Sequence, residues 1–239
     1  MRTTVVAVLC LALTPMASAQ PAPRAVLNLP DGALAYVPAT ARESAPLVVL
    51  LHGAGQAGDA MIARFQADAD KLGLVLLAPK SRGATWDVVS RAGMASMLGP
   101  SALGGVYRYA GSPDGARIAA AGAALAAVVQ TDPARRVLLG FSDGASFALA
   151  YGTARKTSYA AVIAVAPGLA THAASPARRR TVIVLHGRAD TVLPLAFTEG
   201  TIVPALRDAG LAVRLQTFAG GHVIPPEADA GIDGVLSAP

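Results

Sequence analysis

The chain has 239 residues, a formal charge of +5, and is 53% hydrophobic but only 15% charged. That balance excludes intrinsic disorder, and the length suits one well-filled core better than two domains. The basic excess is mild and scattered; its one cluster, Arg178-Arg179-Arg180, stands just before a predicted strand and reads as a solvated loop end, so nucleic acid is not expected as a partner.

The first twenty residues read as a secretory signal peptide. Arg2 supplies the positive start, Val5 to Leu13 is an apolar run too short to span a bilayer comfortably, and Ala17-Ser18-Ala19 before Gln20 forms a small-residue cleavage site. Cleavage after Ala19 would leave 220 residues of charge +4 and would remove the only cysteine, Cys10. The expectation is therefore an exported protein, periplasmic or secreted, with no disulfide and no stable membrane insertion. The alternative for residues 1–19 is an uncleaved anchor.

Beyond the leader, Val26–Leu29 and Ala33–Val37 read as two short strands around Pro30-Asp31-Gly32. Leu47–Leu51 is a continuous apolar run, as in a central parallel strand, and ends in His52-Gly53-Ala54-Gly55. A helix follows over Asp59–Leu72, with Met61, Ile62, Phe65, Ala69 and Leu72 on one stripe and Gly73 as its stop. Leu74–Pro79 is the next buried strand. Residues 80–113 read as the longest irregular stretch and hold the only tryptophan, Trp86, together with Met94, Met97 and Leu98. Ser112-Pro113 opens an alanine-rich helix to about Gln130, ended by Asp132-Pro133. Arg135–Leu139 is then a short apolar strand, followed by Gly140-Phe141-Ser142-Asp143-Gly144 and a small-residue helix to about Arg155.

Ala161–Pro167 and Thr181–Leu185 are two more buried strands, the second ending in His186-Gly187-Arg188-Ala189-Asp190. Pro194–Ala209 reads as a helix kinked at Pro204, Leu211–Phe218 alternates like an edge strand, and Gly220-Gly221-His222 precedes a closing helix from Pro226. Strands alternate with helices throughout and are uniformly apolar. That pattern predicts an α/β fold over residues 20–239, with one mostly parallel sheet flanked by helices and no cap domain.

In such a sheet chemistry collects at the carboxyl ends of the strands. Four strands here end in polar, turn-rich tips: the His52-Gly53 turn, Ser142, Asp190 and His222. They offer an oxyanion site, a nucleophile, an acid and a base. The glycines on either side of Ser142 suit a crowded strand-to-helix turn that pushes the hydroxyl out. On these motifs, with Gly221-His222-Val223-Ile224-Pro225-Pro226, the chain resembles the α/β-hydrolases, and among them the small cap-less phospholipase/carboxylesterase group.

The resemblance implies a serine hydrolase acting on carboxylic esters through an acyl-enzyme. Ser142 would be the nucleophile, His222 the base, and Asp190 the acid that orients the ring. The backbone N–H groups of Asp143 and Ala54 would form the oxyanion hole. Gly53, Trp86, Met94 and Val192 are candidate pocket residues; for Trp86 the alternative is a ring packed under a long loop, and for Met94, Met97 and Leu98 a loop core. Asp208 and Asp229 are rivals to Asp190, but neither follows an apolar strand. His52, His186 and His172 are rivals to His222, and only His222 follows the last strand.

The expected partner is a small-molecule or polymer ester. Some exported relatives act on polyhydroxybutyrate-type polyester or on feruloyl groups, which gives the runner-up role. Behind it stand a hydrolase-fold binding protein without catalysis and a peptidase. No cofactor is expected. The sequence shows no metal-ligand cluster, and the glycines after Leu51 lack the lysine a phosphate loop needs.

Overall fold

The computed structural model describes residues 25–97, 107–177 and 179–237, with the side chains of 93–97 outside the description. The leader 1–19 and Leu98 lie outside the described residues. Ten strands are described: β1 (Ala25–Asn28), β2 (Leu34–Val37), β3 (Ala45–Leu51), β4 (Val75–Ala78), β5 (Tyr107–Tyr109), β6 (Thr131–Phe141), β7 (Ala161–Val165), β8 (Thr171–Ala173), β9 (Thr181–Gly187) and β10 (Ala212–Phe218). Eight form one sheet in the order β1-β2-β4-β3-β6-β7-β9-β10, parallel from β4 to β10 and antiparallel at β1–β2 and β2–β4. β5 and β8 pair separately, in parallel.

The strands look uniformly apolar because both faces of the sheet are covered. Val49 and Leu51 of β3, Leu138 of β6 and Val162 of β7 pack on one face, beneath α3 (Pro113–Ala126) and α4 (Asp143–Gly152). Their alternates Val48, Leu50, Leu139 and Ile163 pack on the other, beneath α1 (Gly58–Leu72) and α7 (Glu227–Leu236). Period-two geometry is thus present and hidden by double burial. The predicted edge strand is β10, at one end of the sheet.

Three expectations are corrected. The stretch 80–113 is not irregular throughout: it contains α2 (Asp87–Met97) and β5. Val88-Val89, Ser90 and Gly93 give α2 a poor local signal, and its start is fixed from a distance: the buried Asp114 carboxylate accepts the Asp87 N–H at 2.8 Å and the Arg82 N–H at 2.9 Å. Second, β6 begins at Thr131 and runs through Asp132-Pro133, because the register against β3 shifts between the Ala45 and Leu47 pairs and the proline sits at that irregularity. Third, α3 and α4 end several residues earlier than expected, at Ala126 and Gly152.

The helix read over 194–209 is present in three parts, α5 (Leu195–Phe197), a π turn (Thr198–Ile202) and α6 (Val203–Asp208). The π turn just precedes Pro204, which lacks an N–H and crowds the preceding turn, so the widened segment is how the predicted kink is realised.

Candidate active site

Ser142 sits between the end of β6 and the start of α4 with φ 55° and ψ −116°, a conformation that costs roughly 1–3 kcal/mol for a non-glycine residue. The surroundings hold it there. Its N–H donates to Val165 O on β7 at 2.9 Å, and its carbonyl accepts the Ser146 N–H at 3.0 Å. The turn is crowded as the sequence implied: a Cβ on Gly140 would lie 2.1 Å from Gly144 O, and one on Gly144 would lie 2.3 Å from Leu51 O.

The Ser142 Oγ is 2.9 Å from Nε2 of His222, and Nδ1 of His222 is 2.7 Å from Oδ2 of Asp190. A carboxylate can only accept, so Nδ1 carries the proton and the Nε2 lone pair faces the serine hydroxyl. The Asp190 side chain is fully buried, and its Oδ1 accepts the N–H groups of Val192 at 2.9 Å and Leu193 at 2.8 Å. Burial pushes its carboxyl upward; the Leu193 N–H, the His222 ring and the Val192 N–H outweigh that and hold it below the usual carboxylate value. The acid and base loops are tied directly, Ala189 N–H to Gly220 O at 2.8 Å and Arg188 N–H to Phe218 O at 3.0 Å. Gly187 permits this approach, since a Cβ there would meet Gly220 O and Gly221 O at 2.4 Å. The Phe141 ring lies against His222, centroids 4.9 Å apart.

The turn after β3 is built on His52. Its Nδ1 donates to Gly53 O at 2.8 Å, its Nε2 accepts the Ser81 N–H at 3.3 Å, and burial lowers its pKa, so the ring is neutral at neutral pH. Gly53 N–H is taken by Gln56 Oε1 and Gly55 N–H by Ala84 O. That leaves Ala54: among the described residues neither its N–H nor that of Asp143 has a protein acceptor. A Cβ on Gly53 would lie 3.5 Å from Ser142 Cβ, which places this turn beside the nucleophile.

The pocket assignments fare differently. Trp86 has no solvent exposure; its Nε1 donates to His52 O at 2.8 Å and its ring packs between His52 and Phe147. It supports the turn from beneath and does not line the cleft, a correction that follows from its need for a hydrogen-bond acceptor when buried. Val192 contributes its N–H to Asp190, while the residue is 63% exposed. The Met94 side chain lies outside the described residues.

The rivals are placed elsewhere. Asp229 pairs with Arg64 at 2.9 Å, and Asp208 is exposed at the end of α6. His172 is buried on β8 with Nδ1 donating to Ala173 O. His186 is fully buried: its Nε2 donates to Leu193 O at 2.7 Å, and its Nδ1 accepts the Thr198 hydroxyl at 2.9 Å. Sequence reasoning missed Asp114 and Ser146, whose hydroxyl accepts the Gly168 N–H at 3.0 Å. An acid in the first turn of α3 is a sequence signal for Asp114, but its reach across to Arg82 and Asp87 is not. Among the described residues no group of acidic, histidine or cysteine side chains could hold a metal ion.

A parallel sheet wound by helices on both faces, with a serine on the strand–helix elbow and a histidine and a buried aspartate converging on it, defines an α/β-hydrolase. The chain is a carboxylesterase-like member of that fold. The phospholipase/carboxylesterase family model matches residues 120–230. The structure of esterase PE8 is similar at 25% identity and TM-score 0.61, over 84% of this chain and 97% of that one. The carboxylesterase of Bacillus cereus has 15% identity and TM-score 0.58, over 81% and 90%. Zea mays acyl-protein thioesterase 2 has 17% identity and TM-score 0.54, over 86% and 99%. Among curated proteins no sequence is significantly similar.

Proposed function

We propose that the protein is an exported serine esterase that cleaves carboxylic esters through an acyl-enzyme on Ser142, His222 and Asp190. The observation that carries this reading is the hydrogen-bonded line from Ser142 Oγ through His222 to the buried Asp190. Ser142 Oγ bonds to the acyl carbon as His222 Nε2 takes its proton; Asp190 stabilises the imidazolium. The oxyanion is met by the N–H groups of Asp143 and Ala54, worth about 3–4 kcal/mol each at the transition state. The intermediate collapses, the imidazolium protonates the departing alcohol, and water repeats the sequence to free the acid. Similarity to esterase PE8 supports the ester class.

Turnover of short p-nitrophenyl esters, with fluorophosphonate labelling lost in Ser142→Ala, tests the reading. A folded protein that neither turns over nor labels refutes it. Export rests on residues 1–19, and a mature protein recovered outside the cytoplasm beginning at Gln20 is the expected outcome.

A second reading, polyester or feruloyl ester as the natural substrate, is favoured by exposed apolar residues next to the triad. Val192, whose N–H binds Asp190, and Val223, directly after His222, are both exposed. Such side chains suit an ester presented on an apolar surface. Faster release of acid from polyhydroxybutyrate particles than from matched soluble esters, abolished by Val223→Asp, would support it; equal rates would remove it.

A further inference from the structure

The residue after the nucleophile is an acid, and its position is at odds with the charge the reaction develops. Asp143 stands directly behind Ser142, and its N–H is one of the two assigned to the oxyanion. Thr85 donates its hydroxyl to Asp143 Oδ2 at 2.5 Å; among the described residues the other oxygen, Oδ1, takes no protein donor and is not buried. Among the described residues no lysine or arginine is within ion-pair distance of this carboxylate. Asp190, the other acid at the site, is committed to His222 and to two backbone N–H groups.

Covalent geometry bounds the distance that matters. Any atom accepting a hydrogen bond from the Asp143 N–H lies within about 7 Å of that residue's carboxylate carbon, whatever the rotamer. A reacting acyl group is therefore held beside a carboxylate that no lysine or arginine among the described residues pairs. The Thr85 hydroxyl disperses part of that charge and ties the side chain to the segment that carries Trp86, which in turn holds the oxyanion turn through His52 O.

We propose that the Asp143 carboxylate makes this site select esters by charge, favouring acyl groups that carry a cation within a few bonds of the carbonyl over isosteric anionic ones. The inference rests on the esterase reading above. Where the charged end of the acyl group comes to about 7 Å from the carboxylate, it changes the rate roughly threefold in a water-like environment and up to about fiftyfold in a half-buried one. Cationic and anionic esters shift in opposite directions, so their ratio spans about an order of magnitude or more.

The test compares kcat/KM for p-nitrophenyl esters of trimethylammoniobutyric acid, of its neutral tert-butyl analogue and of glutaric acid. The expected order is cationic, then neutral, then anionic. In Asp143→Asn the cationic-to-anionic ratio falls by about tenfold or more, and about 1 M salt narrows it in the unaltered protein, where the charge is partly exposed. The salt series keeps the proposal open to refutation if the variant fails to fold. If the neutral ester is turned over while the three rates are alike, or the ratio survives both Asp143→Asn and salt, charge selection is overturned and the esterase reading stands. If no ester is turned over and Ser142 does not label, both fall.

Discussion

Replacing Gly144 with alanine probes the coupling between fold and chemistry at the elbow. The added methyl would lie 2.3 Å from Leu51 O and 2.5 Å from His52 O, both backbone atoms with no rotamer to escape into. To reach even 3.0 Å the start of α4 must move by about 0.7 Å. Ser142 is the residue from which α4 departs, so it moves too, and its 2.9 Å contact with His222 Nε2 stretches beyond hydrogen-bonding range. Overpacking of this kind costs about 3 kcal/mol, and the helix propensity of alanine returns up to about 1. The net of about 2 kcal/mol lowers Tm by roughly 4–8 °C in a chain of this size. The displacement lowers kcat/KM about a hundredfold. Gly122→Ala in α3 is the control: nothing lies within 4 Å of its added Cβ, so a small rise in Tm and no change in rate are expected. Thermal melts and p-nitrophenyl acetate kinetics read both. A Gly144→Ala protein with unchanged Tm and rate would show that the elbow is looser than its packing indicates.

Asp190→Asn should leave the fold intact and lower kcat by about ten-thousandfold, since an amide can present its NH2 to Nδ1 and reverse the ring's tautomer; retention of nearly full rate would remove the assignment. Gly187→Ala should drive the acid and base loops apart at Gly220 and Gly221, with a loss of rate larger than its loss of stability, read by kcat beside a melt. Trp86→Phe should lower Tm by loss of the bond to His52 O while leaving the acyl-length profile of p-nitrophenyl esters unaltered; a changed profile would return Trp86 to the substrate pocket. The lowered pKa of buried His52 has a sign: below about pH 6.5 the unfolded chain takes up a proton that the folded ring resists. Stability from this group is complete above that pH and is lost as pH falls through the lowered folded value. Tm should decline on acidification in that window, and less steeply in His52→Gln.

The sheet was legible because its strands are buried on both faces, and a run such as Leu47–Leu51 has no other economical explanation. The elbow was legible because Gly140 and Gly144 flank Ser142 at a fixed spacing after an apolar strand, although the atoms that crowd Gly144 are the distant Leu51 O and His52 O. Gly187 looked ordinary because no such spacing surrounds it, and the atoms that crowd it belong to Gly220 and Gly221, distant in sequence. The helix over Asp87–Met97 was invisible for a related reason. Its own residues favour it weakly, and its first N–H is held by Asp114 across 27 positions of sequence.

Three strand-associated histidines illustrate where pattern stops and packing decides. His52 and His186 each precede a glycine at the end of a buried strand, and His222 follows one. The first two are satisfied at both ring nitrogens inside the protein: His52 by Gly53 O and the Ser81 N–H, His186 by Leu193 O and the Thr198 hydroxyl. Neither has a lone pair to offer a substrate proton. His222 has only its Nδ1 engaged by an acid, and its remaining nitrogen meets the Ser142 hydroxyl. Most of the partners that retire the other two rings are backbone groups, which every residue type supplies, so no residue identity in the sequence marks them. What the sequence does mark is Asp190 at the end of β9, whose Oδ2 lies 2.7 Å from His222 Nδ1 and 3.4 Å from His186 Nε2; because the His186 ring is already held by Leu193 O and the Thr198 hydroxyl, only the path from Asp190 to His222 leads on to the serine.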